Sequence, residues 1–248
     1  MLSESTVLPS KGLLYGDKLP DGKVEMRPMK VSEEKLLVRP DPAEVIDRIV
    51  EECLLTKSLP FEEFLVGDKN YMLFFLRRIS YGEKYNVQIQ CPKCNTPANC
   101  TLRIPQELRI RVLEEGVDQE PYKVELPGCK KTIEVKLLRV GDERAINKAA
   151  KNQRVKLTGE SGDPKYALRL ARHVVSIGGE KVNFLKAIEF VNDMLALDST
   201  AIWNTVDEHD CGIDFMHDFS CNQCGGASEI LIPMSSEFFR PKSDPVPR

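Results

Sequence analysis

Two stretches of the chain share one layout. In the first, Tyr85, Val87 and Ile89 alternate with Asn86, Gln88 and Gln90; the pair Cys91/Cys94 follows, and a second alternating run carries Cys100, Leu102 and Ile104. In the second, Ile213, Phe215, His217 and Phe219 alternate ahead of the pair Cys221/Cys224, and a short strand-like run leads to Pro233. Alternation with period two predicts half-buried strands, so each Cys-x-x-Cys sits at the tip of a predicted β-hairpin.

Elsewhere the apolar spacing is mostly helical. Asp41 as cap and Pro42 as first residue open a helix with Val45, Ile46, Ile49, Val50 and Cys53 on one face. Asp68 is placed to cap a second helix, with Met72, Phe75, Leu76 and Ile79 as its buried stripe and Gly82 as its stop. Ser32 ahead of Glu33 and Glu34 reads as a short capped helix. Further helices are expected over about 142–153, 164–176, 182–195 and 199–208. The third has an apolar stripe of Phe184, Leu185, Ile188, Val191 and Leu195, and the last has Asp198 or Ser199 as cap. Strands are expected at "KVEMRPM" (23–29), "YKVELP" (122–127) and within "KTIEVKLLRV" (131–140).

These elements predict an α+β protein: a mostly helical body with a discontinuous four-Cys zinc ribbon, two β-hairpin knuckles closing around an inserted α/β segment. The expected division is an N-terminal arm and helical part (1–83), a first ribbon half (84–105), an inserted β and then helical region (106–211), a second ribbon half (212–234) and an extended tail (235–248).

Composition narrows the function classes. A chain of 248 residues with 42% hydrophobic and 29% charged residues is that of a soluble globular protein able to bury a core. The net charge of −3 advertises neither a nucleic-acid nor a membrane partner. The charge is uneven, however: positions 130–172 carry 12 Lys/Arg against 5 Asp/Glu. No apolar run approaches the ~18–20 residues needed to span a bilayer. The opening "MLSESTVLPSKG" has no basic and apolar signal segment, so the eight cysteines are expected to meet a reducing cytoplasm.

There, closely spaced cysteines read as metal ligands or redox pairs. Zinc takes four ligands tetrahedrally, and a two-residue gap lets one turn aim two sulfurs at one ion. Cys91, Cys94, Cys221 and Cys224 are the candidate ligands of a structural Zn2+, with Pro92 and Asn95, and Gly225-Gly226, as turn residues. The 126 residues between the pairs (Asn95–Ser220) far exceed the ~15–20 of an ordinary ribbon, so a domain-sized insert must separate the halves. A thioredoxin-like pair would need a helix after the first cysteine, and both pairs are flanked by strands. Four thiolates leave no open position for water, so the metal would be structural and not catalytic.

The remaining candidates read blandly. Cys53 belongs to a helix core, Cys100 to a strand face and Cys129 to a turn after Gly128. Cys211 two residues after His209 suggests a Cys–His dyad, but nothing supplies an orienting carboxylate or an oxyanion hole. His217 reads as packed, His173 as solvent-facing in a basic helix, and the Glu33-Glu34, Glu51-Glu52 and Glu62-Glu63 pairs as solvated faces. There is no P-loop, dinucleotide fingerprint or HExxH, so no enzyme is expected, and no small-molecule substrate.

Four pieces, in order, resemble one family: "LPSKGLLYGDKLPDGKVEMRPMKVSEEKLL", "VGDKNYMLFFLRRISYGEKYNVQIQCPKC", "LDSTAIWNTVDEHDCGID" and "FSCNQCGGASEILIPMSSEFFRP". The chain resembles the T-even-type contractile-tail phage baseplate hub assembly family over most of its length, most loosely over 106–179. The resemblance implies a non-enzymatic virion or assembly component made in the host-cell cytoplasm, present in the tail baseplate or acting only during assembly. Its partners would be other tail and baseplate hub proteins, with self-association as a further option. It also gives the ends a role as arms on neighbouring subunits, with Leu8, Tyr15, Phe238, Phe239 and Arg240 as candidate partner-binding residues. The alternative for Phe238 and Phe239 is closure of the chain's own core. The competing function is a cytosolic zinc-ribbon protein that binds nucleic acid through the basic 130–172 segment, against which the ribbon strands carry few basic or aromatic residues.

Overall fold

The computed structural model describes residues 2–38, 42–114, 120–156, 163, 165–233 and 236–239. In chain order the elements are β1 (Glu4–Val7), β2 (Lys23–Met26), α1 (Val31–Glu34), α2 (Pro42–Cys53), α3 (Val66–Tyr81), β3 (Lys84–Gln90), β4 (Pro97–Arg103), β5 (Arg109–Arg111), β6 (Tyr122–Glu125) and β7 (Thr132–Val135). The chain continues with α4 (Val140–Lys156), α5 (Lys165–His173), β8 (Val174–Ile177), β9 (Glu180–Lys181), α6 (Phe184–Asn192), α7 (Ala196–His209), β10 (Gly212–Asp214), β11 (Met216–Ser220), β12 (Ala227–Leu231) and α8 (Ser236–Phe239). The fold is mixed helix and strand. All described strand pairs are antiparallel: β1–β2, β3–β4, β5–β10, β11–β12 and a sheet ordered β6-β7-β8-β9. The short β5–β10 pair joins the middle of the chain to the segment leading into the second Cys pair.

Helix α3 is the pivot. Met72, Leu73, Phe74, Phe75 and Leu76 are all buried, so the helix is covered nearly all round and its single predicted stripe understates it. Gly82, at φ 87°, ends it as expected. Lys69 ties α3 to both neighbours, reaching Asp47 of α2 at 3.1 Å and Glu143 of α4 at 2.5 Å. The N-terminal loop folds onto the same helix. Gly12 and Gly22 meet backbone to backbone, both at positive φ: a Cβ on either would lie 2.6 Å from the other's amide nitrogen. That contact brings Leu8, Tyr15 and Leu19 into the core.

Several local expectations yield to tertiary contacts. Asp68 is not the α3 cap; Leu65 is. Asp68 lies inside the first turn, fully buried, where its carboxylate accepts from the Ser10 N–H (3.0 Å) and the Tyr15 hydroxyl (2.5 Å). Likewise α7 starts at Ala196 with Leu195 at the cap, and Asp198 instead accepts from the Gly128 and Cys129 amides at the β6–β7 turn (2.5 and 3.1 Å). Lys30, not Ser32, caps α1. Glu33 is not solvated: it is buried in a two-armed pair with Arg27 (both 3.2 Å). The helix expected over 164–176 stops at His173, where the β-branched Val174, Val175 and Ile177 turn to strand against β7. On α6 Ala187 and Val191 are buried and Phe184 and Ile188 half-buried on the same side, whereas Leu185 points outward and Leu195 lies beyond the helix, exposed. The Asp41 cap lies outside the described residues.

His173 is buried rather than solvent-facing, with Nδ1 donating to the Lys136 carbonyl (2.7 Å) and the ring edge-on to Trp203. Burial pulls its pKa down to about 4, whereas burial pushes Asp68 up to about 6. The signs oppose. Between pH 6.5 and about 4 the unfolded chain binds a proton that folded His173 refuses, so stability falls on acidification; over a similar window folded Asp68 takes its proton first, so stability rises. Replacing His173 with Asn keeps a donor near Nδ1 and removes the titration. The variant is expected to gain up to about 3 kcal/mol relative to wild type as pH drops from 6.5 to 4, read from urea midpoints across that range. Parallel pH profiles would contradict it.

The basic stretch is partly neutralised by the chain itself. Among the described residues six of its cations are paired: Lys136 and Arg172 with Asp142, Arg139 with Glu120, Arg144 with Glu51 and Glu62, Lys151 with Glu44, and Arg169 with Glu143. Among the described residues no helix is long and apolar enough to cross a membrane.

Candidate metal centre

The β3–β4 hairpin places Cys91 and Cys94 at its tip, and the β11–β12 hairpin does the same for Cys221 and Cys224. Tyr85, Val87 and Ile89 form the buried side of β3 as their alternation requires. The two turns are built alike. Cys91 N–H donates to the Thr96 carbonyl (3.0 Å) and Asn95 N–H to the Cys91 carbonyl (2.8 Å); Cys221 N–H donates to Gly226 (3.0 Å) and Gly225 N–H to Cys221 (2.8 Å). The residue after the second cysteine is left-handed in both, Asn95 at φ 56° and Gly225 at φ 68°, which is why a turn-forming Asn and a Gly occupy equivalent places.

The fold brings all four sulfurs together. Their Sγ atoms lie within 4.8 Å of one another, with Cys91–Cys224 at 3.9 Å and Cys94–Cys221 at 3.8 Å. A tetrahedron with thiolates at about 2.3 Å from its centre has edges of about 3.8 Å, so the cluster has the dimensions of a four-thiolate metal site. Cys91 and Cys221 are buried, Cys94 is half-buried and Cys224 exposed, so the cluster opens to solvent on one side.

The surroundings prepare thiolates but cannot charge all four. The Thr96 hydroxyl, 2.9 Å from Cys94 Sγ, and the Thr96 amide pull that thiol down to about 6. The Cys224 and Gln223 amides lower Cys221. At Cys224 the Gly226 N–H acts downward, but the hydrogen bond with Cys94, burial, and the hydrogen bonds with Cys221 and Cys91 prevail and push the thiol up to about 11. A divalent cation removes that conflict, because it lets every thiol ionise together. The residues present therefore fit a metal ion. Thr96 is the contributor that motif spacing alone does not mark; its only signal is a hydroxyl two residues after the second cysteine. Gly226 lets the Lys93 stem lie close: a Cβ there would sit 2.5 Å from Lys93 Cδ and 3.3 Å from Cys224 Sγ, so that flexible side chain would have to shift.

The other cysteines stand apart from this cluster. Cys53 is core and Cys129 exposed at the β6–β7 turn. Cys211 is no nucleophile. Burial raises its thiol well above the usual range, with Asp68 next, its Sγ faces Asp68 Oδ1 (3.9 Å), and His209 instead stacks on Tyr122 and bonds the Thr205 carbonyl. The candidate partner anchors lie mostly inside the chain's own fold. Leu8, Tyr15 and Phe238 are buried in the chain's own core, where their apolar surface is already covered, and Phe239 is half-buried beside Phe238. Arg240 lies outside the described residues.

Against known families, residues 15–240 match the model described as T4 bacteriophage base plate protein. The chain belongs to that family. The match runs from Tyr15, within the N-terminal loop, to just past α8, taking in both Cys hairpins and everything between them. Neither the comparison with curated proteins nor that with solved structures returns a match. As a baseplate protein, the chain works among other proteins of the phage tail.

Proposed function

We propose that this baseplate protein is a non-enzymatic structural or assembly component of the tail hub, and that a structural zinc held by Cys91, Cys94, Cys221 and Cys224 clasps the two ends of its chain. The zinc reading rests on one observation above all: sulfurs from hairpins 126 residues apart (Asn95–Ser220) converge at tetrahedral spacing. With four thiolates the ion has no open position, so it holds the fold and takes no part in turnover. The hub assignment rests on the segments at 8–37, 66–94, 197–214 and 219–241 that resemble hub assembly proteins. The protein would be made in the host-cell cytoplasm and act on tail and hub partners.

Protein purified without chelator is expected to carry one zinc per chain, and cobalt exchanged into the site to show intense thiolate-to-metal absorption. Metal-free protein with four freely alkylated knuckle thiols would overturn the zinc reading. The nucleic-acid alternative is weakened, since six of the twelve cations that suggested it are paired with Glu44, Glu51, Glu62, Glu120, Asp142 and Glu143.

A further inference from the structure

The first knuckle hairpin ends in an open strand edge. Among the described residues β4 pairs with β3 alone, over seven consecutive residues and without a bulge. The bonds that flank this ladder fix its phase. Cys91 N–H donates to the Thr96 carbonyl (3.0 Å), and Ile104 N–H to the Glu83 carbonyl (2.8 Å). With Lys84 opposite Arg103, the ladder bonds of β4 therefore fall at Ala98, Cys100 and Leu102. The backbone N–H and C=O groups of Asn99 and Thr101 point the other way, and no other described residue bonds them. Both residues are exposed.

The two ends of the edge differ from its middle. Pro97 has no N–H to offer. The Arg103 N–H donates to the Glu107 carboxylate (2.9 Å), and the Arg103 carbonyl accepts from the Glu107 N–H (2.8 Å). Free edges are commonly blunted by a bulge or an inward charge, and between Pro97 and Arg103 this strand has neither. Its inner face is also thinly covered. Ala98 and Cys100 are half-buried, whereas Ile89 and Val87 opposite them on β3 are buried.

We infer that β4 pairs with β4 of a second copy of this chain, antiparallel about a two-fold axis at Cys100. In that register Asn99 lies opposite Thr101 of the second copy, and each such pair exchanges both backbone bonds. Pro97 then faces Arg103 of the second copy, so the residue without a donor meets the one whose donor Glu107 already holds. Other registers fit less well. Centred on Asn99, the pairing would set the Thr101 carbonyl against Pro97. Centred on Thr101, it would set Asn99 against the Arg103 groups that Glu107 occupies. Arg103 is the strand's single charge, so no like charges meet. On the inner face Ala98 covers Leu102 of the second copy, and the two Cys100 residues form a non-bonded pair with Cα atoms about 4.5 Å apart. The pairing runs along the hairpin and not at its tip, so it is independent of the zinc reading.

Sedimentation equilibrium of the full chain under reducing conditions tests this. A contact of this kind lies at the small end of specific interfaces, so the measurement spans about 1 to about 100 μM. The wild-type mass is expected to rise from the 28.1 kDa of one chain toward twice that value. Asn99→Lys with Thr101→Lys sets like charges opposite each other in this register and is expected to weaken the dimer at least about tenfold. Asn99→Lys with Thr101→Glu sets opposite charges there and is expected to restore the dimer at least to the wild-type level. Brief oxidation of wild type with diamide is expected to yield a covalent dimer whose digest contains a Cys100–Cys100 link. A wild-type chain that keeps its single mass at the highest concentration would overturn the self-pairing and leave the edge to a strand of another protein. A dimer that responds alike to both charge pairs, or that forms no Cys100–Cys100 link, would overturn this interface. Zinc-free protein that dimerises as described would overturn the clasp alone.

Discussion

Cys91→Ser is expected to purify without stoichiometric zinc and to unfold in urea at a much lower midpoint than wild type. Cys91 is buried at the end of β3, and its backbone closes the first knuckle through Thr96 and Asn95. A serine keeps those backbone bonds and the volume, but offers a neutral, hard oxygen where the site needs a thiolate. Because a structural metal binds the folded chain and not the unfolded one, losing it removes folding free energy directly. The cost is expected to exceed the ~0.5–3 kcal/mol of an ordinary point substitution. Cys129→Ser, at an exposed turn, is the control and should fall within about 0.5 kcal/mol of wild type. Wild-type stability should rise with added zinc, and that of Cys91→Ser should not. A Cys91→Ser protein as stable as wild type in the presence of zinc would show that the four sulfurs meet without a structural ion.

The site was readable because each half of it is local. Alternation around Tyr85, Val87 and Ile89 and the two-residue Cys gap depend on positions adjacent in sequence, and the only non-local step was to suppose that the halves meet. The misreadings share the opposite character. Asp68, Asp198 and Ser32 are residues that cap helices in isolation. In the fold, two of them lie inside the first turn of a helix, with Leu65 and Leu195 at the caps, and their carboxylates serve chain segments 53 to 70 residues away. His173 looked exposed because arginines surround it in sequence, yet its ring faces Trp203 on α7. Part of the 130–172 excess of cations is offset by carboxylates distant in sequence, Glu44 and Glu51 of α2 and Glu120. Phe238 could be either an arm or a core residue until the fold placed Phe74 and Tyr85 around it.

Gly67 was invisible to any local rule, and it carries the second large expected effect. A glycine in the first turn of a helix reads as a weak position, and alanine should improve helix propensity there by about 1 kcal/mol. The fold reverses that expectation. Here α3 crosses β10 with no side chain between them: a Cβ on Gly67 would lie 1.8 Å from the Cys211 carbonyl oxygen and 2.7 Å from its carbon. Facing it, Gly212 sits at φ 121°, and a Cβ there would meet Gly67 Cα at 2.7 Å. Both obstacles are backbone, so no rotamer change relieves them. Gly67→Ala must push β10 away from α3, and β10 pairs with β5 and leads directly into β11 and the second Cys knuckle. The net cost is expected to be about 3 kcal/mol or more, at or beyond the upper end of overpacking penalties, despite the better helix former. Gly82→Ala serves as a comparison: at φ 87° and ψ 172° it carries backbone strain but has open space around its Cβ, and is expected to cost about 1–3 kcal/mol. Urea denaturation of the two variants separates the mechanisms. If Gly67→Ala proved the milder of the two, the close crossing of α3 and β10 would not be what positions the second half of the clasp.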